Sequence, residues 1–318
     1  MILATIKDGT RDGRLVAVSP DRKRYAPLSA GTLQHAIENW SETAAEVAAL
    51  ADFPEVIDAA LLSAPLPRAW QWLDGSVFAT HAELMQVAFG LDPIDTDRPL
   101  MYQGMSDVFH GAYDNIVLPS EEHGIDFEGE YAVITDFVPM GTSAQDAMKH
   151  IRLVVQLNDW SLRAIAPIEM KTGFGWVQAK PACSMAPFAI TPDELGPLWD
   201  DGRVCVDLHI DWNGNHVGHA NGRPMLFGFH ELIAHAALTR DLVAGTVIGS
   251  GTVSNPNYAE VGSSCISEIR AIEKVANGEF TTEFMKFGDR IRMEARLPDG
   301  TAPFGVIDQK VTGDVRNQ

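Results

Sequence analysis

Short apolar runs alternate with compact polar turns along most of the chain. ILATI and RLVAVS are apolar, KDGTRDG between them is turn-rich, and DRKR follows, so Ile2 to Leu28 is predicted as short strands and turns. From Thr32 to Ala51 the period changes, with Ala, Leu, Ile and Trp recurring on one face, which predicts a helix. Ala64-Pro65-Leu66-Pro67-Arg68 then punctuates the chain. We place a boundary there, with a small N-terminal domain over 1–64 and a larger domain over 65–318. Beyond Ala69, strands are predicted at Tyr131–Thr135, Leu153–Leu157, Val204–Ile210, Pro224–Phe229 and Arg290–Ala295. Helices are predicted at Ala144–His150, His230–Leu238 and Ser263–Ala276. The segment VCVDLHIDWNGNHVGHA alternates with period two around Asn213-Gly214, a strong hairpin signal. There is no internal repeat or low-complexity tract. The pattern predicts an α+β, β-rich fold.

Composition narrows the function more than the fold. The 318 residues are 46% hydrophobic and 21% charged, an ordinary globular balance. The net charge of −19 argues against nucleic acid and membrane surfaces as partners. An acidic substrate would need a local cation, from Lys, Arg or a bound metal. Cys183, Cys205 and Cys265 form no CxxC pair, so the reading is three reduced thiols in a cytoplasmic protein. The N-terminal stretch lacks a signal-peptide core, and no apolar run approaches the roughly 20 residues of a membrane span.

Candidate chemistry resides in carboxylates. In Asp126-Phe127-Glu128-Gly129-Glu130, a strand would point Glu128 and Glu130 to the same face. Two buried carboxylates side by side need a cation between them or a proton. All-oxygen ligands suit hard ions such as Mg²⁺ or Ca²⁺. A solvated strand face accounts for the same letters. Asp159, after the apolar run RLVVQ, suits either a ligand or a helix N-cap. Asp74 and His81 alone amount to a loop with one acid and one histidine. Gly249-Ser250-Gly251 lacks the third glycine of a nucleotide cradle and reads as a tight turn.

Taken in order, these pieces resemble the fumarylacetoacetate hydrolase family. Asp74 lies seven residues before His81; Glu128-x-Glu130 leads into a strand; Asn158-Asp159-Trp160-Ser161-x-Arg163 follows. Lys180 comes next in GFGWVQAKPACS, then GTVS at 251–254 and GSSC-x-x-E ending at Glu268. The resemblance runs from about Pro65 to the end, and residues 1–64 resemble the family's small N-terminal domain less specifically. It implies a mixed β-roll catalytic domain, a homodimer and a divalent cation (Mg²⁺ or Ca²⁺, with Mn²⁺ as an alternative) held by Asp74, Glu128, Glu130 and Asp159. It also implies His81 as catalytic base and Glu268, after a two-residue shift, as its orienting partner. Tyr102, Lys180 and Thr252 fall on substrate-contacting positions, Arg163 on the oxyanion side, and Ser184 on a metal-side position. The implied reaction is hydrolysis of a carbon–carbon bond in a 1,3-diketo acid such as fumarylacetoacetate. Ser76, Ala166 and Met170 depart from the members that cleave that compound, and an arginine expected near Gly90 is absent. Acylpyruvates, oxaloacetate and ring-fission diketo acids, handled by hydrolysis, decarboxylation or isomerisation, are therefore alternatives. A ligand-binding homologue without turnover is an alternative of another class.

Overall fold

The computed structural model describes residues 1–90, 92 and 97–314. Its centre is an 11-stranded sheet. From one edge the strands run Glu55–Val56, Arg24–Pro27, Arg14–Val18, Ile2–Ile6, Ala189–Ile190, Ile151–Asn158, Gly129–Thr135, Val247–Gly249, Trp72–Ser76 and Leu100–Gln103, with Ser184–Met185 paired beside Ile151–Asn158. The first strands of the chain thus extend the sheet that carries the rest. A second, five-stranded sheet is ordered Asn215–Asn221, Asp207–Trp212, Arg290–Arg296, Ile307–Gly313 and Ile116–Leu118.

The central strands are buried on both faces, which explains why their sequences are continuous apolar runs. The buried Gln156 ties the two sheets together. Its amide donates to Met293 O (3.2 Å) and accepts from Ala295 N–H (2.8 Å), so its polar groups find backbone partners inside the core.

The fold is the β-rich mixture of helices and strands expected, and local differences have local causes. The predicted helix from Thr32 is two helices, Leu33–Glu38 and Trp40–Ala48, because the backbone at Asn39 leaves the helical region. Pro224–Phe229 is not a strand. Pro224 has no N–H for a ladder, and the Arg203 side chain takes the carbonyls of Met225 and Leu226. Gly228 then opens the helix Phe229–Ala236. The helix near the C-terminal end begins at Ile266 rather than Ser263 and runs to Asn277. Three helices gave no sequence signal, Ala79–Phe89, Ala166–Thr172 and Tyr258–Val261; none has a side-chain N-cap. Of the segments 83–92 and 120–126 flanking the carboxylates, the first is helical up to residue 89 and its residue 91 lies outside the described residues. The second forms a 3-10 turn and a short strand. Asn213 and Gly214 both have positive φ (51° and 80°), the geometry of a tight hairpin turn. All three cysteines are buried and free. Among the described residues no helix is long and apolar enough to cross a membrane.

Candidate active site

The carboxylates converge through strand order. Asp159 follows the strand Ile151–Asn158, Glu130 lies on its neighbour, and Asp74 lies two strands further on. The strand between, Val247–Gly249, pairs Gly249 with Ala132 on one side and Asp74 on the other. A β-carbon at Gly249 would stand 2.3 Å from Asp74 Oδ1 and 2.3 Å from the Trp72 ring. Glycine is what leaves room for acids to meet across an intervening strand. Gly249→Ala should therefore lower stability by about 1–3 kcal/mol through overpacking and displace Asp74. Thermal unfolding together with cation titration checks this; an unchanged melting temperature and cation affinity would refute the account.

Carboxylate oxygens of Asp74, Glu130 and Asp159 lie within 4.8 Å of one another. Asp74 accepts the Gly251 N–H (3.0 Å). Asp159 accepts from Tyr102 Oη (2.6 Å), Lys180 Nζ (2.6 Å) and Cys183 Sγ (2.9 Å). Both oxygens of Glu130 are buried without a hydrogen-bond donor. Burial, reinforced by neighbouring carboxylates, pushes the carboxyls of Asp74 and Glu130 well above the usual range. Burial also raises Asp159, with Lys180 opposing it. A hard divalent cation fits this set, because it would satisfy the orphaned Glu130 oxygens and neutralise the trio without protons.

Glu128 sits beside the trio and behaves differently. Burial opposes its ionisation, but Arg163 and Lys180 overcome that and hold its carboxyl well below the usual range. One oxygen accepts from Arg163 and the other from Lys180. Arg163 also donates through Nε to Asp126 Oδ2 (2.8 Å). Asp126 in turn accepts the N–H groups of Ile266 (2.7 Å) and Ser267 (3.0 Å), capping the helix Ile266–Asn277.

That helix carries Glu268, whose Oε1 is 2.8 Å from His81 Nδ1. His81 stands on the helix Ala79–Phe89, packed against it. With Nδ1 held by the carboxylate, the other ring nitrogen is left for chemistry. His81 is 9% exposed and Glu268 fully buried.

A cavity of about 190 Å³ joins these groups. Asp74, His81, Tyr102, Glu128, Glu130, Arg163, Lys180 and Thr252 all line it, while Asp159 and Glu268 stand behind the lining. Its remaining wall includes Ser76, Ala166 and Met170, the three departures noted above, with Met85 and Trp176. Trp176 meets Tyr102 edge-on, ring centroids 6.2 Å apart. Ser184 does not line the cavity; its hydroxyl accepts the Trp160 indole N–H (3.0 Å). Sequence reasoning missed Asp126 and Cys183. Alternation in Asp126-x-Glu128-x-Glu130 offered a signal for the first; nothing marked the second.

Residues 71–312 match the family described as fumarylacetoacetate (FAA) hydrolase C-terminal, and residues 1–68 match fumarylacetoacetase N-terminal domain 2. The 2,4-didehydro-3-deoxy-L-rhamnonate hydrolase of a Sphingomonas species is 26% identical over 209 residues, 63% of this chain and 70% of that protein. The mitochondrial oxaloacetate tautomerase of Rattus norvegicus is 27% identical over 158 residues, and the match spans about half of each protein (49% and 48%). Maleylpyruvate hydrolase from Sphingobium, solved with manganese(II) and pyruvate, superposes with TM-score 0.68 at 18% identity, covering 98% of this chain and 99% of that one. The 2-hydroxyhepta-2,4-diene-1,7-dioate isomerase of Mycobacterium marinum gives TM-score 0.61 at 17% identity, with 99% of each chain covered. At those identities the likeness is one of fold. With family matches following one another along nearly the whole sequence, the chain belongs to the fumarylacetoacetate hydrolase family.

Proposed function

We propose that this chain is a divalent-cation-dependent hydrolase that cleaves a carbon–carbon bond in a 1,3-diketo acid, with fumarylacetoacetate as the first substrate to test. The observation that carries this reading is the juxtaposition, on one cavity, of a buried carboxylate trio and a carboxylate-held histidine. Asp74, Glu130 and Asp159 are the ligands the geometry favours, with Glu128 as the fourth carboxylate beside them. Mg²⁺, Ca²⁺ and Mn²⁺ suit such oxygen donors. Manganese in the Sphingobium hydrolase supports the same ion class.

When bound, the cation supplies Lewis acidity to the oxygens of a dicarbonyl substrate. His81 takes a proton from water as the hydroxide adds to the carbonyl carbon, Glu268 holds the ring's tautomer and stabilises the imidazolium, and that proton passes to the carbon released when the carbon–carbon bond breaks. Arg163 faces the charge that develops on the attacked carbonyl. Lys180 and Tyr102 hold the acid portion of the substrate, and Thr252 contacts it. Lys180 is suited to this because its ammonium is buried and kept charged: burial opposes the charge, but Asp159 and Glu128 outweigh it. A homodimer belongs to the same proposal, and light scattering of the eluting protein against its 34.6 kDa chain mass tests it.

A second reading stays on the same site. Ser76, Ala166 and Met170 reshape the wall, and the relatives' names span hydrolysis, tautomerisation and isomerisation. Acylpyruvates, oxaloacetate and ring-fission diketo acids are its substrates. The test is loss of ultraviolet absorbance from fumarylacetoacetate with Mg²⁺ or Mn²⁺, with and without EDTA. Decay that stops with EDTA supports the first reading. No decay by cation-loaded protein sinks it, and turnover of oxaloacetate or an acylpyruvate would then establish the second.

A further inference from the structure

The hairpin Asp207–Trp212/Asn215–Asn221 carries three histidines that the catalytic site leaves unused. His209 pairs directly with His219 across the strands, and His216 lies opposite Asp211 beyond a register shift. The three rings gather together: centroids are 5.4 Å apart for His216 and His219, 5.6 Å for His209 and His219, and 5.8 Å for His209 and His216. His216 Nε2 and His219 Nδ1 are 3.2 Å apart. Two nitrogens bound at about 2.0–2.1 Å to one tetrahedral ion stand about 3.3 Å from each other. That pair already has the spacing of shared ligands. The remote nitrogen of His216, Nδ1, is held by Asp211 Oδ1 at 3.0 Å. A carboxylate there is the usual support of a metal-bound imidazole, fixing the tautomer and raising ligand basicity.

We propose that His209, His216 and His219 form a second cation site, for a late first-row divalent ion such as Zn²⁺, with Asp211 as supporting carboxylate and solvent completing the shell. Imidazole donors suit zinc, nickel and copper, whereas the carboxylate trio suits harder ions, so the two sites differ in selectivity. His209 stands across from the pair, its ring centroid 5.6 Å from that of His219 and 5.8 Å from that of His216, and a turn about its side-chain bonds would bring one of its nitrogens to the point the other two share. The adjoining strand places Arg292 opposite Asp211 and Glu294 opposite His209. Both Arg292 and Arg296 are ion-paired to Glu294, so the flanking positive charge is compensated. His216 is half exposed, which opens the cluster to ions from solvent. The second strand of the hairpin also meets Gly262 through Gly218, just ahead of the helix that carries Glu268. An ion on this hairpin would stiffen that support.

Cobalt(II) is the probe, because four-coordinate nitrogen ligation gives it visible absorption. Metal-stripped full-length protein, its Glu130→Gln variant and a His216→Gln/His219→Gln variant are titrated with Co²⁺ by calorimetry and absorbance. The visible bands should appear in the parent and in Glu130→Gln. They should vanish in the double histidine variant, whose hairpin affinity falls by about a hundredfold or more. Glu130→Gln separates the hairpin from the carboxylate centre, so failure of one proposal is not failure of the other. Identical isotherms and spectra for the parent and the double histidine variant would overturn the site and leave the cluster a hydrogen-bonded surface patch.

Discussion

His81→Ala should lower kcat by about 10³-fold or more while leaving cation affinity unchanged, because the change removes the proton acceptor and none of the carboxylates. The ring is fixed at one nitrogen by Glu268, 2.8 Å away, and lines the cavity with the acids. Glu268→Gln should cost nearly as much, since an amide N–H can donate to Nδ1 and stabilise the wrong tautomer. Lys180→Met should behave differently, raising KM as well as lowering kcat, because Lys180 bridges Glu128 and Asp159 and, in the proposed mechanism, binds substrate. Single-turnover and steady-state rates separate these effects. Retention of kcat within tenfold by His81→Ala would remove the histidine from the mechanism and return the site to a cation-binding pocket without a base.

Some of this arrangement was legible in the sequence, and the reasons differ from residue to residue. Glu128 and Glu130 could be placed on one face because strand side chains repeat every two residues. The hairpin at Asn213-Gly214 was legible because positive φ at consecutive residues has a narrow residue preference. Asp74, His81 and Glu268 could be picked out only by their order along the family's motifs, since nothing in their own neighbourhoods sets them apart. The meeting of Glu130 with Asp74 depends on Gly249 lying between them, a pairing of three strands distant in sequence. The division of labour among the acids was not legible either. Glu128 and Glu130 look equivalent as letters, yet Arg163 and Lys180 fold onto one and leave the other without a donor. Asp126 escaped notice for a similar reason. Its role, joining Arg163 to the first turn of the helix that bears Glu268, exists only once a segment some 140 residues away is packed against it. Helix Ala79–Phe89 lacked a capping signal because its N-terminus is set by tertiary packing, with Phe78 at the cap. Pro224 carried a usable warning against a strand, and the apolar letters after it outweighed the missing N–H.

Glu130→Gln should weaken divalent-cation binding by about a hundredfold or more and abolish cation-dependent turnover, while leaving the cation-free protein folded. Glu130 is the trio member with no donor on either oxygen, so the cation is its natural partner. The amide keeps its shape and removes its charge. A pH signature accompanies this. Asp74 and Glu130 have raised carboxyl pKa values in the cation-free protein, from burial first and neighbouring carboxylates second. Their contribution to stability is full below the unfolded values, near pH 4, and is lost as pH rises through the raised folded values. A cation relieves that loss by taking the place of the protons. The melting-temperature difference between Mn²⁺-loaded and EDTA-treated parent should therefore widen as pH rises above about 5, with protons released on binding. Taking this difference cancels the depressed carboxyl of Glu128, which contributes in the opposite direction to both forms. In Glu130→Gln the difference should shrink towards zero at every pH, and the cation-free variant should match or exceed the cation-free parent in stability at alkaline pH. Calorimetry with Mn²⁺ and thermal unfolding across the pH range measure both. An unchanged affinity in Glu130→Gln would move the cation away from Glu130, onto the remaining carboxylates Asp74, Glu128 and Asp159.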